Sequence, residues 1–130
     1  MALPKVYRLR KRQDFSAVYQ LGIKRSAPHL ILRALRPEKQ IYAAQLADSQ
    51  NQLKPAQVGI SISQKVSKRA VIRNRIKRQI RAALRQFLPY LRPGWQIVII
   101  VKPNAVQCDY EEFLRELKQL LVKAEVLNGY

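Results

Sequence analysis

The chain has 130 residues, with 25 Lys+Arg against 8 Asp+Glu and a formal net charge of +17 at pH 7. That is one domain's length, and its 48% hydrophobic residues supply a core, so the charge excess alone does not imply disorder. The longest apolar run, 97–101, is too short for a bilayer span, the N-terminus lacks a secretory-type apolar stretch, and one cysteine excludes an intrachain disulfide framework.

In chain order, residues 13–21 read as a short helix, with Phe15, Val18 and Tyr19 at i, i+3 and i+4 and Gly22 as its stop. Residues 29–36 and 40–47 read as two strands joined as a hairpin through Pro37, Glu38 and Lys39, with 48–55 a polar connection. Residues 58–63 alternate Val58, Ile60 and Ile62 with Gly59, Ser61 and Ser63. That period predicts a strand with one apolar face and space above the other. Residues 69–88 form the longest expected helix, with Ser67 a candidate N-cap, and Pro89 and the Pro93-Gly94 pair close it. Trp95 then reads as a packing anchor. Residues 96–102 are apolar on both faces, as an interior strand requires, and Pro103 ends it. Residues 109–127 form a final amphipathic helix capped by Asp109, with Phe113, Leu114, Leu117, Leu120, Leu121 and Ala124 on one stripe.

The expected fold is therefore α+β, in the order α-β-β-β-α-β-α: a sandwich of about four strands with packed helices, one domain over 1–130. The strand–helix–strand unit around 69–88 implies a parallel pair, for which the general rule favours a right-handed crossing.

The charge is unevenly placed. Residues 1–108 hold 22 basic residues against three acidic ones, or +19, while the last 22 positions hold three against five, or −2. Residues 65–85 concentrate nine basic side chains and no acid. On a helical wheel Ile72, Ile76, Ile80, Ala83, Leu84 and Phe87 make one apolar stripe. Asn74, Arg75, Lys77, Arg78, Arg81 and Arg85 fill the opposite arc, and Arg73 borders the stripe with a stem long enough to reach sideways.

A charged outer face is ordinary for a surface helix. Here, however, no acid stands at i±3 or i±4, so the like charges repel within the helix and an anionic partner compensates. The arginine excess suits bidentate phosphate contacts and stacking on bases. Asn74 adds a donor and an acceptor for sugar or base edges. No helix–turn–helix, zinc finger or basic zipper accompanies the segment, and a helix pinned to a sheet suits the shape of a structured RNA better than a DNA groove.

The run Lys68-Arg69-Ala70-Val71-Ile72-Arg73-Asn74-Arg75-Ile76-Lys77-Arg78-Gln79-Ile80-Arg81 closely resembles the Arg-Asn-Arg signature of the bacterial ribonuclease P protein subunit. Leu9-Arg10-Lys11-Arg12-Gln13-Asp14-Phe15 resembles that family's opening element, Val58-Gly59-Ile60-Ser61-Ile62-Ser63 its third strand, and residues 95–102 its last. The resemblance spans nearly the whole chain. It implies a bacterial, cytoplasmic, non-catalytic subunit bound to a catalytic RNA, one protein per RNA. That ribonucleoprotein removes the 5′ leader of precursor tRNA by hydrolysing one phosphodiester bond, with the RNA and its Mg²⁺ ions doing the chemistry. It also implies a left-handed crossover, against the general rule.

Carried over by residue, the resemblance puts Arg73, Asn74, Arg75, Lys77, Arg78 and Arg81 on the catalytic RNA, with Lys65, Lys68 and Arg69 leading into them. Replacing Arg73 and Arg75 is then expected to weaken assembly more than folding. Arg10, Lys11 and Arg12 are expected as additional phosphate contacts. A leader-binding cleft between the first helix and the sheet takes Phe15, Tyr19, Arg33, Ser61 and Ser63. Phe15 and Tyr19 match aromatic positions there, where stacking holds bases with little sequence preference; packing in the core is the competing role for both. Arg33 stands where some members carry an aromatic, and Ser67-Lys68 occupies a stretch where many have glycine.

His29 and Cys108 read as single residues without partners, too few and too far apart in sequence for a four-ligand zinc site. The carboxylates show no metal spacing, so no protein metal site and no catalytic residue is expected. A structural RNA-binding protein of ribosomal type remains as an alternative that composition permits, and a self-sufficient protein nuclease is opposed by the missing catalytic constellation.

Overall fold

The computed structural model of the chain describes residues 3–37 and 55–127. Its elements follow as α1 (Arg12–Leu21), β1 (Ile23–Ser26), β2 (Leu30–Leu35), β3 (Gln57–Ser61), α2 (Ala70–Arg85), β4 (Gln96–Val101) and α3 (Tyr110–Lys123). Short 3-10 turns stand at Lys5–Tyr7, Leu88–Tyr90 and Pro103–Gln107. The strands form one mixed sheet in the order β1-β2-β4-β3. β1–β2 and β2–β4 are antiparallel, and β3–β4 is the parallel pair expected around the long helix.

Among the described residues the elements run α-β-β-β-α-β-α, but the three strands before the long helix are not the three expected. β1 was not expected at all: Ile23-Lys24-Arg25-Ser26 carries one apolar residue and is mostly exposed, so no period marks it. It exists because β2 offers a free edge, with Ile23 opposite Ala34 and Ser26 opposite Ile31. Both edges of β2 are thereby taken, by β1 and β4, and the expected hairpin partner 40–47 lies outside the described residues. The interior place expected for residues 96–102 is realised by β4, which lies between β2 and β3.

Helix ends correct two further expectations. Arg69, not Ser67, is the N-cap of α2; Ser67 Oγ instead accepts the Arg69 N–H at 3.2 Å, two residues upstream of a true cap's reach. Asp109 does cap α3, in a capping box: its carboxylate accepts the Glu112 N–H at 2.9 Å and Glu112 reaches back to Asp109 N. α3 stops at Lys123 rather than 127, where Glu125 turns the chain at φ 61°.

Alternation along the strands gives the sheet two unlike faces. One carries Leu30, Leu32, Ala34, Val58, Ile97, Ile99 and Val101, and against it pack Ile76, Ile80 and Leu84 of α2 and Phe113, Leu117 and Leu120 of α3. This is the main core. The other face carries Leu35 and Val98, covered by Leu9, Phe15 and Val18 as a smaller cluster. Trp95 is buried as expected, with the Arg36 guanidinium 5.6 Å from its ring centre.

Candidate RNA interface

The sheet determines which arc of the basic helix is free. Ile76, Ile80, Ala83 and Leu84 are buried against the main core, so the arc opposite them faces outward. Asn74 and Arg78 are exposed there, and Lys65, Lys68 and Arg69 are exposed on the approach. α3 packs along one flank of α2 and over β1 and β2. On the wheel Arg73, Lys77 and Arg81 fall on the flank turned away from α3. Among the described residues none of Lys77, Arg78 and Arg81 has an acidic partner.

Two signature arginines are also tied into the fold. Arg73 Nη1 donates to the Ser67 carbonyl at 2.9 Å, closing the loop that leads into α2. Arg75, on the flank facing α3, donates through Nη2 to the Val106 carbonyl at 2.9 Å. An untouched apolar stripe therefore does not guarantee an undisturbed fold when these two are replaced. The sequence held no signal for either bond, since both acceptors are main-chain carbonyls.

Arg10, Lys11 and Arg12 are exposed at the start of α1. Leu9 N–H donates to the Val58 carbonyl at 3.1 Å, and Arg8 bridges Val58 in parallel. The segment therefore runs alongside β3 toward the end from which Lys65, Lys68 and Arg69 depart. Two basic stretches far apart in sequence thus both adjoin β3, an edge strand of the sheet.

The second surface is the opposite sheet face. Phe15 packs beside Leu9 and Val18 over Gly59, where a Cβ would come within 2.8 Å of its Cε1. Glycine at 59 is what lets α1 sit this close. Beyond Phe15 the next row across the sheet is Ile31, Ile100 and Ser61, in register and only half-buried. Tyr19, on the outer side of α1, is 38% exposed. The Arg33 guanidinium lies 5.8 Å from its ring centre and donates through Nη2 to its carbonyl.

The result is a half-buried apolar row flanked by one exposed ring and one fixed guanidinium. The structure brings Phe15, Tyr19, Arg33 and Ser61 to this face. Ser63 does not belong with them: the strand ends at Ser61, and Ser63 Oγ and carbonyl accept the Lys65 and Val66 N–H groups in a turn. Ile31 and Ile100 were missed. Their signal was present, as the off-phase positions of strands whose alternate residues are buried.

A third cluster was not expected. His29 Nδ1 lies 2.5 Å from Glu116 Oε2, and its backbone N–H donates to Glu116 Oε1 at 2.9 Å. Glu116 is the one buried charged residue among those described. Cys108 and Glu112 adjoin, so the two residues read as solitary are neighbours in space. Burial and the nearby carboxylates of Glu112, Glu116 and Asp109 push the Cys108 thiol up to about 11.

The family model described as Ribonuclease P matches residues 3–125. The ribonuclease P protein component of Cyanothece sp. is 58% identical over 130 residues, covering 98% of this chain and 99% of that protein. The one from Trichormus variabilis is 50% identical over 139 residues, covering 100% and 99%. Among solved structures, a mutant RNase P protein of Staphylococcus aureus with defective mRNA degradation activity superposes with a TM-score of 0.76 at 24% identity, over 95% of this chain and 92% of that one. The RNase P protein of Thermotoga maritima superposes with a TM-score of 0.70 at 22% identity, over 89% and 96%. Among the described residues no helix is long and apolar enough to cross a membrane.

Proposed function

The chain belongs to the ribonuclease P protein family, and from that premise we propose how its two surfaces divide the work of the holoenzyme. The family's protein component is a subunit of the ribonuclease P holoenzyme, which cleaves precursor tRNA, and its partner there is RNA. Neither a ribosomal-type protein nor a self-sufficient nuclease agrees with that membership.

The catalytic RNA lies on the outer arc and free flank of α2, through Arg73, Asn74, Arg75, Lys77, Arg78 and Arg81, with Lys65, Lys68 and Arg69 at the approach. Arg10, Lys11 and Arg12 extend the same phosphate-binding edge along β3. The observation that carries this reading is the acid-free arc of α2, whose opposite arc is fully used by the core. Each phosphate contact replaces condensed counterions, which makes the association strongly salt-dependent.

The 5′ leader lies in the cleft on the other sheet face, one protein serving one RNA. Tyr19 offers a ring for stacking, Ile31 and Ile100 an apolar floor, and Arg33 a guanidinium for a phosphate or a base plane. Ser61 adds a hydroxyl at the floor's edge. Hydrolysis itself belongs to the RNA and its Mg²⁺ ions, in the bacterial cytoplasm; the protein binds and orients the substrate. The test is a cleavage assay on precursor tRNA. The protein alone, rigorously freed of RNA, leaves it intact, and the protein added to the catalytic RNA raises cleavage at modest Mg²⁺. Activity of the protein alone would overturn the reading.

A further inference from the structure

Three donor atoms of different chemistry converge at the end of the sheet where β2 begins. An imidazole nitrogen of His29, Cys108 Sγ and a Glu112 carboxylate oxygen all lie within 4.8 Å of one another. They come from three separate elements: the loop before β2, the residue after the Pro103–Gln107 turn, and the first turn of α3. Cys108 is buried, whereas His29 and Glu112 are half-buried, which leaves a path for a small solute.

The loops that carry these donors are laced together. Lys102 N–H donates to the His29 carbonyl at 3.0 Å, Lys102 Nζ to the Ala27 carbonyl at 2.7 Å, and Asn104 Nδ2 to the Pro28 carbonyl at 3.1 Å. Arg75 holds the same turn from the other side through Val106. Glu116 clamps His29 by both its backbone N–H and Nδ1. A buried carboxylate bound to one imidazole nitrogen is the arrangement that orients histidine ligands and raises their basicity.

We propose that His29, Cys108 and Glu112 form a binding site for a borderline-soft divalent cation, Zn²⁺, with Glu116 positioning the histidine. A sulfur, a nitrogen and an oxygen donor together favour Zn²⁺ over Mg²⁺ or Ca²⁺, which take oxygen-only sets. Tetrahedral zinc with bonds of about 2.0–2.3 Å places its ligands about 3.4 Å apart, so donors already within 4.8 Å have little further to close. Water takes the fourth position. On binding, the Cys108 S–H bond breaks, its electron pair forms the Zn–S bond, and the proton leaves to solvent. The cation also answers a local electrostatic problem: Asp109, Glu112 and Glu116 crowd a thiol in an otherwise basic chain. Its effect is to pin the start of β2 to the start of α3. None of its ligands belongs to either proposed RNA surface, and its test reads metal binding by RNA-free protein, so it stands or falls independently of them.

The experiment uses the full-length, RNA-free protein stripped with a chelator, titrated with Zn²⁺ and, separately, with Co²⁺. One equivalent of Zn²⁺ is expected to bind and raise the thermal midpoint, and Co²⁺ to give a thiolate-to-metal charge-transfer band. Cys108→Ser abolishes the band, and Glu116→Gln weakens Zn²⁺ binding by about tenfold or more. Circular dichroism confirms folding of each variant. No charge-transfer band in the wild-type protein overturns the proposal whatever the variants do, as does a band that survives in folded Cys108→Ser.

Discussion

Arg75 Nη2 and the Val106 carbonyl, 2.9 Å apart, join α2 to the turn that launches α3. An arginine from the densest basic segment thus holds two helices together, while its neighbour Arg78 stays exposed. Replacing Arg75 by alanine leaves the carbonyl without this donor and is expected to cost about 1–2 kcal/mol of stability. Arg78→Ala changes stability by less than about 0.5 kcal/mol. Urea unfolding of the free protein separates the two.

Binding to the catalytic RNA ranks them differently. Arg78→Ala is expected to lower affinity and to reduce the slope of log affinity against log salt by about 1, the signature of one lost phosphate contact. The same measurement on Val122→Ala, an exposed residue on the outer side of α3, gives an unchanged slope. Equal slopes for wild type and Arg78→Ala would remove Arg78 from the interface.

Gly59 and Phe15 make a second coupled pair. Gly59→Val places a branched side chain where the ring now sits, so overpacking costs about 1–3 kcal/mol. Phe15→Ala relieves the clash and loses its own packing. The double variant is therefore expected to be more stable than the sum of the single effects implies, read by a double-mutant cycle in denaturant.

Tyr19 is exposed and touches the fold mainly through Arg33. Tyr19→Ala is expected to weaken binding of leader-bearing precursor tRNA by about 1–3 kcal/mol per stacked base, with mature tRNA unaffected. Parallel titrations with the two RNAs check this. Equal losses would take Tyr19 out of the cleft.

Glu116 is buried and satisfies two His29 nitrogens. In chelator-treated protein Glu116→Ala removes the acceptor of the half-buried His29 N–H and is expected to cost about 1–3 kcal/mol. Thermal unfolding measures it, with Glu111→Ala, at an exposed position on the same helix, as the reference.

Much of this was legible in the sequence wherever a period was strong. The alternation in β3, the doubly apolar β4 and the stripes of α2 and α3 each announced an element and its buried side. Such patterns persist because every turn or pleat repeats the same demand for burial. β1 escaped because an edge strand of four residues with one apolar side chain makes no such demand. Its place is fixed by backbone hydrogen bonds to β2, which any sequence can make.

The candidate sites divide along the same line. The acid-free segment and its signature lay contiguous along the chain, so the sequence by itself determined a basic, acid-free helix face and the family the chain belongs to. Only the tertiary structure decided which arginines also brace the fold, that Ser63 serves a turn, and that Ile31 and Ile100 pair in a half-buried row on the face opposite the main core. Only folding, too, set His29 beside Cys108 and Glu112. Helical and strand periods govern neighbours a few residues apart, whereas those three donors meet through the packing of β2 against α3, which no local period encodes.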